Sequence, residues 1–303
     1  MTRLSRLALC LVLLGASMSV HASELRIWAR MTFEEKDISF SEDGLFLNFP
    51  AMPQNPNAKT TLGLRHYPKT VNSSLRPLEL VAPGADGAGH AVAPVKPDGI
   101  ALSRGELKLL FNKVGMMPAA PDMMFAFKLF VPEGDVASYR IVFNSAKDYR
   151  RKADILMRPK CGEWNFMRVP LHLQKAIDIG DFVQNVTMVS SSSSAYGWMV
   201  DDIVAWSGDD AQPPTTVATV TVKAEGDDNL ISWTPSDDNL AIAYYEVHRG
   251  TVRDFTSSAS TLVAETEGCS FKDVCPMHEN SFYKVIAVDY ADNPSTPSSA
   301  ARR

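Results

Sequence analysis

Three observations predict an all-β chain built as two β-sandwiches. Apolar and β-branched runs recur at strand length along most of the sequence. Turn chemistry rich in Asp, Asn, Ser, Gly and Pro separates them, with no long amphipathic helical pattern. The stretch "SGDDAQPPTT" (207–216) is polar, carries two prolines and interrupts strand-like runs on both sides, so it reads as a linker.

The first 22 residues read as an export signal. Arg3 and Arg6 open it, "LALCLVLLGA" is its apolar run, and "VHA" ends it on a small residue, so the mature chain is expected to begin at Ser23. The apolar run is too short to span a bilayer, and no later stretch approaches that length. A secreted protein, periplasmic or extracellular, is expected. Its domains are then 23–208, a linker at 209–216, and 217–303.

Charge narrows the partners. The formal net charge of −5 becomes −7 once Arg3 and Arg6 leave with the signal, which argues against nucleic acid as a ligand. Acids outnumber bases 13 to 7 over 213–303 and are nearly balanced before it. Cys269 and Cys275 are close enough in sequence to form a short disulfide in an oxidising compartment, which leaves Cys161 as the odd thiol.

Within 217–303 the strand-like pieces are "VATVTVKAE", "NLISWTP", "AYYEVHRG", "STLVAET" and "SFYKVIAVD". Pro213–Pro214 at entry, Trp233, Tyr245, Leu262, and Tyr283 with Val285 and Ala287 closely resemble a fibronectin type III domain, an immunoglobulin-like sandwich. The resemblance implies core roles for Trp233, Tyr245, Leu262 and Tyr283 and no catalytic role.

The first domain carries strand-like runs at 122–132, 138–145, 152–158, 164–171 and 183–191. A Gly/Pro/Ala-rich loop is expected at 81–99. In order it shows "MTFEEKD", "GIALSRGELKLLF", "FAFKLFVPEG", "GEWNFMRVPL" and "GWMVDDIVAW". This succession resembles the galactose-binding-like jelly rolls used by many carbohydrate-binding modules. The resemblance implies first and last strands side by side, often with a structural calcium between them. Glu34 or Glu35 and Asp201 or Asp202 match the positions of such ligands, and calcium takes carboxylate oxygens of this kind. It would also explain why "WMVDDIVAW" holds two adjacent acids in an apolar strand. The competing expectation is that one acid faces inward against Lys36 or Arg30. Both can share a face only if a bulge intervenes.

Three features could touch a ligand. Trp164 and Trp198 could stack on sugar rings, although packing is the commoner role at those positions. Tyr149 sits among Lys147, Arg150, Arg151, Lys152, Arg158 and Lys160, a pattern that suits an acidic sugar if it is more than a solvated face. "GLRHYP" (63–68) is a weaker third. The sequence carries no G-x-S-x-G, H-E-x-x-H, Walker or G-x-G-x-x-G motif, and its histidines lack ligand spacing. The expected function is non-catalytic binding of extracellular polysaccharide or cell-surface glycan. A small jelly-roll lyase or hydrolase is the alternative, and a structural or protein-interaction module is a third.

Overall fold

A computed structural model describes residues 24–31, 38–41, 44–48, 61–68, 78–81, 99–102, 105–111, 117–119, 121–131, 133, 139–148, 150–171, 177–178, 181–190, 198–274 and 281–303. The signal segment, Glu34, Glu35, Tyr149 and Cys275 lie outside the described residues. Among the described residues every regular element is a strand apart from a single 3₁₀ position, and no helix is long and apolar enough to cross a membrane.

The first sandwich opens with β1 (Arg26–Met31), β2 (Ile38–Ser41), β3 (Gly44–Asn48), β4 (Thr61–Pro68), β5 (Leu78–Val81), β6 (Gly99–Leu102) and β7 (Gly105–Phe111). It continues through β8 (Met117–Pro118), β9 (Met124–Phe130), β10 (Tyr139–Ser145) and β11 (Lys152–Met157). It closes with β12 (Trp164–Pro170), β13 (Phe182–Ser190) and β14 (Trp198–Ser207). One sheet runs β12-β9-β14-β6-β5, with β1 added on β14; the other runs β11-β10-β13-β7-β4-β3-β2, with β8 on β13. All of these pairings are antiparallel. Opening strand β1 lies beside closing strand β14, from Arg26 opposite Ser207 to Met31 opposite Ile203, as the jelly-roll expectation requires.

The second sandwich consists of β15 (Val220–Glu225), β16 (Asp228–Trp233), β17 (Ile242–Gly250), β18 (Leu262–Thr266), β19 (Ser270–Asp273), β20 (Phe282–Asp289) and β21 (Ala301–Arg302). Sheet β15-β16-β19 faces sheet β18-β17-β20-β21, an antiparallel three-on-four arrangement of the immunoglobulin-like kind.

Each sandwich has its own core. Phe125, Phe127, Leu129, Ile141, Phe143 and Ile203 are among the fully buried side chains of the first. Trp233 and Tyr245 meet edge to face, ring centroids 5.4 Å apart, beside Tyr283 and Val285 in the second. Leu262 departs from its expected core role. It is half-buried on edge strand β18, and the neighbouring Val263 and Ala264 pack against the core. Cys269 is buried in the same core and shares a side-chain hydrogen bond with Tyr245.

A third apolar cluster joins the two sandwiches. Ala126, Val204 and Trp206 of the first pack against Leu240, Ala243 and Tyr290 of the second. Strand β9 is therefore covered on both faces, which explains why its interior residues 125–129 are all buried instead of alternating. Polar contacts reinforce the junction. The Arg30 side chain donates to the carbonyls of Leu240 (2.8 Å) and Asp238 (3.3 Å), and Arg168 donates to Tyr290 O (3.1 Å) and Asp292 (2.7 Å). The connecting segment is tied down as well, since Asp210 accepts from Asn239 at 3.1 Å and Thr215 pairs its backbone with Asp237.

Candidate functional site: a cleft between the sandwiches

The paired acids of "WMVDDIVAW" sit at this junction. Asp201 lies opposite Lys128 of β9, and the next paired residue, Val204, lies opposite Ala126, so Asp202 and Ile203 together face the single residue Phe127. That is a β-bulge. Val200 and Ile203 both enter the first core, and the two aspartates between them fill one outward step of the strand. Asp202 takes φ 48°, a left-handed conformation that aspartate tolerates better than most side chains.

Lys128 compensates them. Its ammonium is buried and lies 3.0 Å from the Asp202 carboxylate. Burial alone pulls the Lys128 pKa down, yet Asp202, Asp201 and Glu267 together hold it above its ordinary value. A lysine therefore stands beside Asp202; of the two basic partners expected from the sequence, Arg30 donates to the carbonyls of 238 and 240, and Lys36 lies outside the described residues. Tyr290 completes the packing: fully buried, it donates to the Asp202 carbonyl at 2.8 Å and packs against Phe166 at 4.6 Å.

Next to this cluster a cleft of about 500 Å³ opens between the sandwiches. Its first wall is the turn from Lys160 to Asn165 with the edge strand β12 behind it. Asn165 holds that turn: its Oδ1 accepts from Lys160 N at 2.7 Å, and its Nδ2 donates to the carbonyls of Lys160, Glu163 and Leu129. Gly162 is required there. It has φ 83°, and a Cβ would come within 2.8 Å of the Glu133 side chain. The turn sets Trp164 against Phe130 with ring centroids 5.6 Å apart, and both line the cleft. Trp164 Nε1 is buried and has no hydrogen-bond partner among the described residues.

The opposite wall comes from the second sandwich and includes Tyr244, Glu265 and Glu267. Glu267 accepts the backbone N–H of Phe166, an outward-facing donor of edge strand β12, while its buried Oε2 has no hydrogen-bond partner among the described residues. Burial pushes its carboxyl up to about 7, against the opposing pull of Lys128 and the Phe166 N–H; Glu163 and Asp202 push it further up.

Of the expected ligand residues, Trp164 stands apart from Arg150 and Arg151, and Tyr149 lies outside the described residues. Trp164 is in the cleft, on the edge of the six-stranded sheet, whereas Arg150 and Arg151 precede β11, the edge strand of the eight-stranded one. Arg151 is exposed and forks onto Asp178 at 2.5 and 2.9 Å, Lys152 and Arg140 share Asp154, and Lys160 lies 3.1 Å from Glu163. Arg151, Lys152 and Lys160 of the basic run thus stand on a solvated face and each meets a carboxylate. The backbone of Trp198 pairs with Leu102, and its side chain lies outside the description. Phe130, Tyr244, Glu265 and Glu267 were missed by sequence reasoning, and only Lys128, a cation inside the apolar run "FAFKLF", offered a signal.

Another acidic group lies at the junction. Carboxylate oxygens of Asp210, Asp238 and Asp289 fall within 4.8 Å of one another, and Asp210 Oδ2 and Asp238 Oδ1 are buried without partners. Burial, with Asp289 and Asp210 close by, raises Asp238 to about 6. Hard oxygens so placed could hold a divalent cation of the calcium type. Part of the donor set is already engaged, because Asp289 accepts from Ala291 N, Asn293 N and Asn293 Nδ2.

The fold and this site define an all-β, two-sandwich protein with an interdomain cleft. No protein-family model and no curated protein matches the chain. Among solved structures it is similar to an Endo-D glycoside hydrolase domain from Streptococcus pneumoniae R6, at 10% identity and TM-score 0.33, covering 78% of this chain and 36% of that one. It is also similar to SGBP-B from a complex xyloglucan utilization locus in Bacteroides uniformis, at 13% identity and TM-score 0.26, covering 61% and 65%. A third is the A168–A170 segment of titin, at 14% identity and TM-score 0.25, covering 72% and 84%. The chain spans about a third of the length of the first of these.

Proposed function

We propose that this is an exported, non-catalytic glycan-binding protein and that the ligand lies in the cleft between the sandwiches. The observation that carries the reading is the lining itself: the Phe130–Trp164 pair and Tyr244 alternate with Glu163, Glu265 and Glu267 in about 500 Å³. A sugar ring presents an apolar C–H face and a rim of hydroxyl donors. Aromatic faces accept the first and carboxylates the second, and the volume is that of a small-ligand pocket.

The test is a glycan array on the full chain, followed by calorimetry on the best oligosaccharide. Trp164→Ala and Tyr244→Ala should each weaken binding at least about tenfold, as expected when a stacking contact worth ~1.4 kcal/mol is lost. Unchanged affinity in both variants would put the site elsewhere. Retention of no glycan would leave the structural-module reading.

A hydrolytic role is the second reading, favoured by one observation. Glu267 is a cleft carboxyl pushed up to about 7, the range a general acid needs. Cleavage of a bound oligosaccharide that disappears in Glu267→Gln would establish it.

A further inference from the structure

We propose that the cleft selects glycans bearing free amino groups over their acetylated and acidic counterparts, an inference that rests on the glycan-binding reading. Carboxyls outnumber ammonium groups at this wall. Among the described residues, Glu163, Glu265 and Glu267 line the cleft with one cation, Lys160, which is already paired with Glu163. Directly behind them, buried Lys128 lies 3.0 Å from Asp202 and is also acted on by Asp201 and Glu267. A cation entering beside Glu265 and Glu267 therefore meets one exposed carboxylate and one partly buried carboxyl that ionises in response, where attraction is stronger than in water. The Trp164 and Tyr244 rings add faces that themselves attract ammonium. An N-acetyl group keeps the shape and loses the charge. A uronic acid reverses it.

The charged groups acting on Glu267 are Lys128, Glu163 and Asp202, with the Phe166 N–H donating to it. An added ammonium favours its ionised form, so binding should expel a proton wherever free Glu267 is still protonated.

The experiment is calorimetry on the full chain at about pH 5, low enough that a sugar amine, less basic than an alkylamine because of its neighbouring hydroxyls, is charged while Glu267 is still protonated. Glucosamine oligomers, N-acetylglucosamine oligomers of the same length and galacturonic acid oligomers are compared. The amine series should bind about tenfold tighter than the acetylated one, and the acidic series most weakly. Binding enthalpy should vary between buffers of different ionisation enthalpy, which reports the released proton. Glu267→Gln should abolish that dependence. Glu163→Gln and Glu265→Gln, on the exposed rim, test the preference without disturbing buried groups, and each should weaken amine binding alone. If the acetylated or acidic oligomer binds as tightly as the amine and Trp164→Ala still abolishes binding, the amino preference is wrong and glycan binding stands. Survival of the full preference in both Glu163→Gln and Glu265→Gln would assign it to the acidic surface at large and overturn the proposal. If no oligomer binds, both readings fall.

Discussion

The basic run at 147–160 and the junction around Lys128 are both charged, and they behave oppositely. In the run, Arg151 and Asp178 meet in the open, where solvent screens the pair. Hydrogen bonding to Arg151 lowers the Asp178 pKa, but both groups keep access to water. At the junction, Lys128 and Asp202 meet under the second sandwich, where neither is easily rehydrated. Burial decides which charges matter. The densest cluster in the sequence lies in solvent, and a single lysine lies buried at the junction.

The largest effect should come from breaking the buried pair. Lys128→Met takes the ammonium from the buried Asp202 pair and should cost about 3–5 kcal/mol, measured by urea unfolding. A loss below about 1 kcal/mol would mean that water reaches these acids, and the contrast with the surface run would vanish.

Glu267 sharpens the comparison through pH. Its folded pKa of about 7 lies above the ordinary 4.5, so the folded protein binds more protons than the unfolded one between those values. Stability contributed by this group is full below about 4.5 and is lost as pH rises through about 7, with a slope of at most about 1.4 kcal/mol per pH unit. Asp238, raised to about 6, acts in the same direction at lower pH. Glu267→Gln should flatten the upper part of the curve, and an unaltered curve would show that Glu267 is ionised and solvated.

A smaller effect is expected at the tyrosine bridging the sandwiches. Tyr290→Phe removes the hydrogen bond to the Asp202 carbonyl and keeps the ring packing, so it should cost about 1 kcal/mol in the same unfolding measurement. Domains that melted separately in both proteins would show that the junction is not cooperative.

The smallest effect should be at Arg151. Arg151→Ala should leave the melting temperature and the binding of neutral oligosaccharides unchanged, since the pair it breaks is fully solvated. Loss of binding would restore the basic run as a site.

Strand positions were readable from the chain because alternation and turn chemistry are local signals. Runs placed at 122–132, 138–145 and 164–171 appear as β9, β10 and β12, and Trp233, Tyr245 and Tyr283 are buried as expected. The short strands β19 and β21 were not anticipated, having four and two residues in which to show a pattern. The anomaly at Asp201–Asp202 was also visible, including the bulge it required. Its partner was not. Lys128 reaches Asp202 because antiparallel pairing of β9 with β14 and the bulge place them together, and no local pattern encodes that register. The cleft was hidden for the same reason. Trp164 and Phe130 come from one sandwich and Tyr244, Glu265 and Glu267 from the other, so the site exists only once an apolar junction of Ala126, Trp206, Leu240 and Tyr290 has docked two folded units.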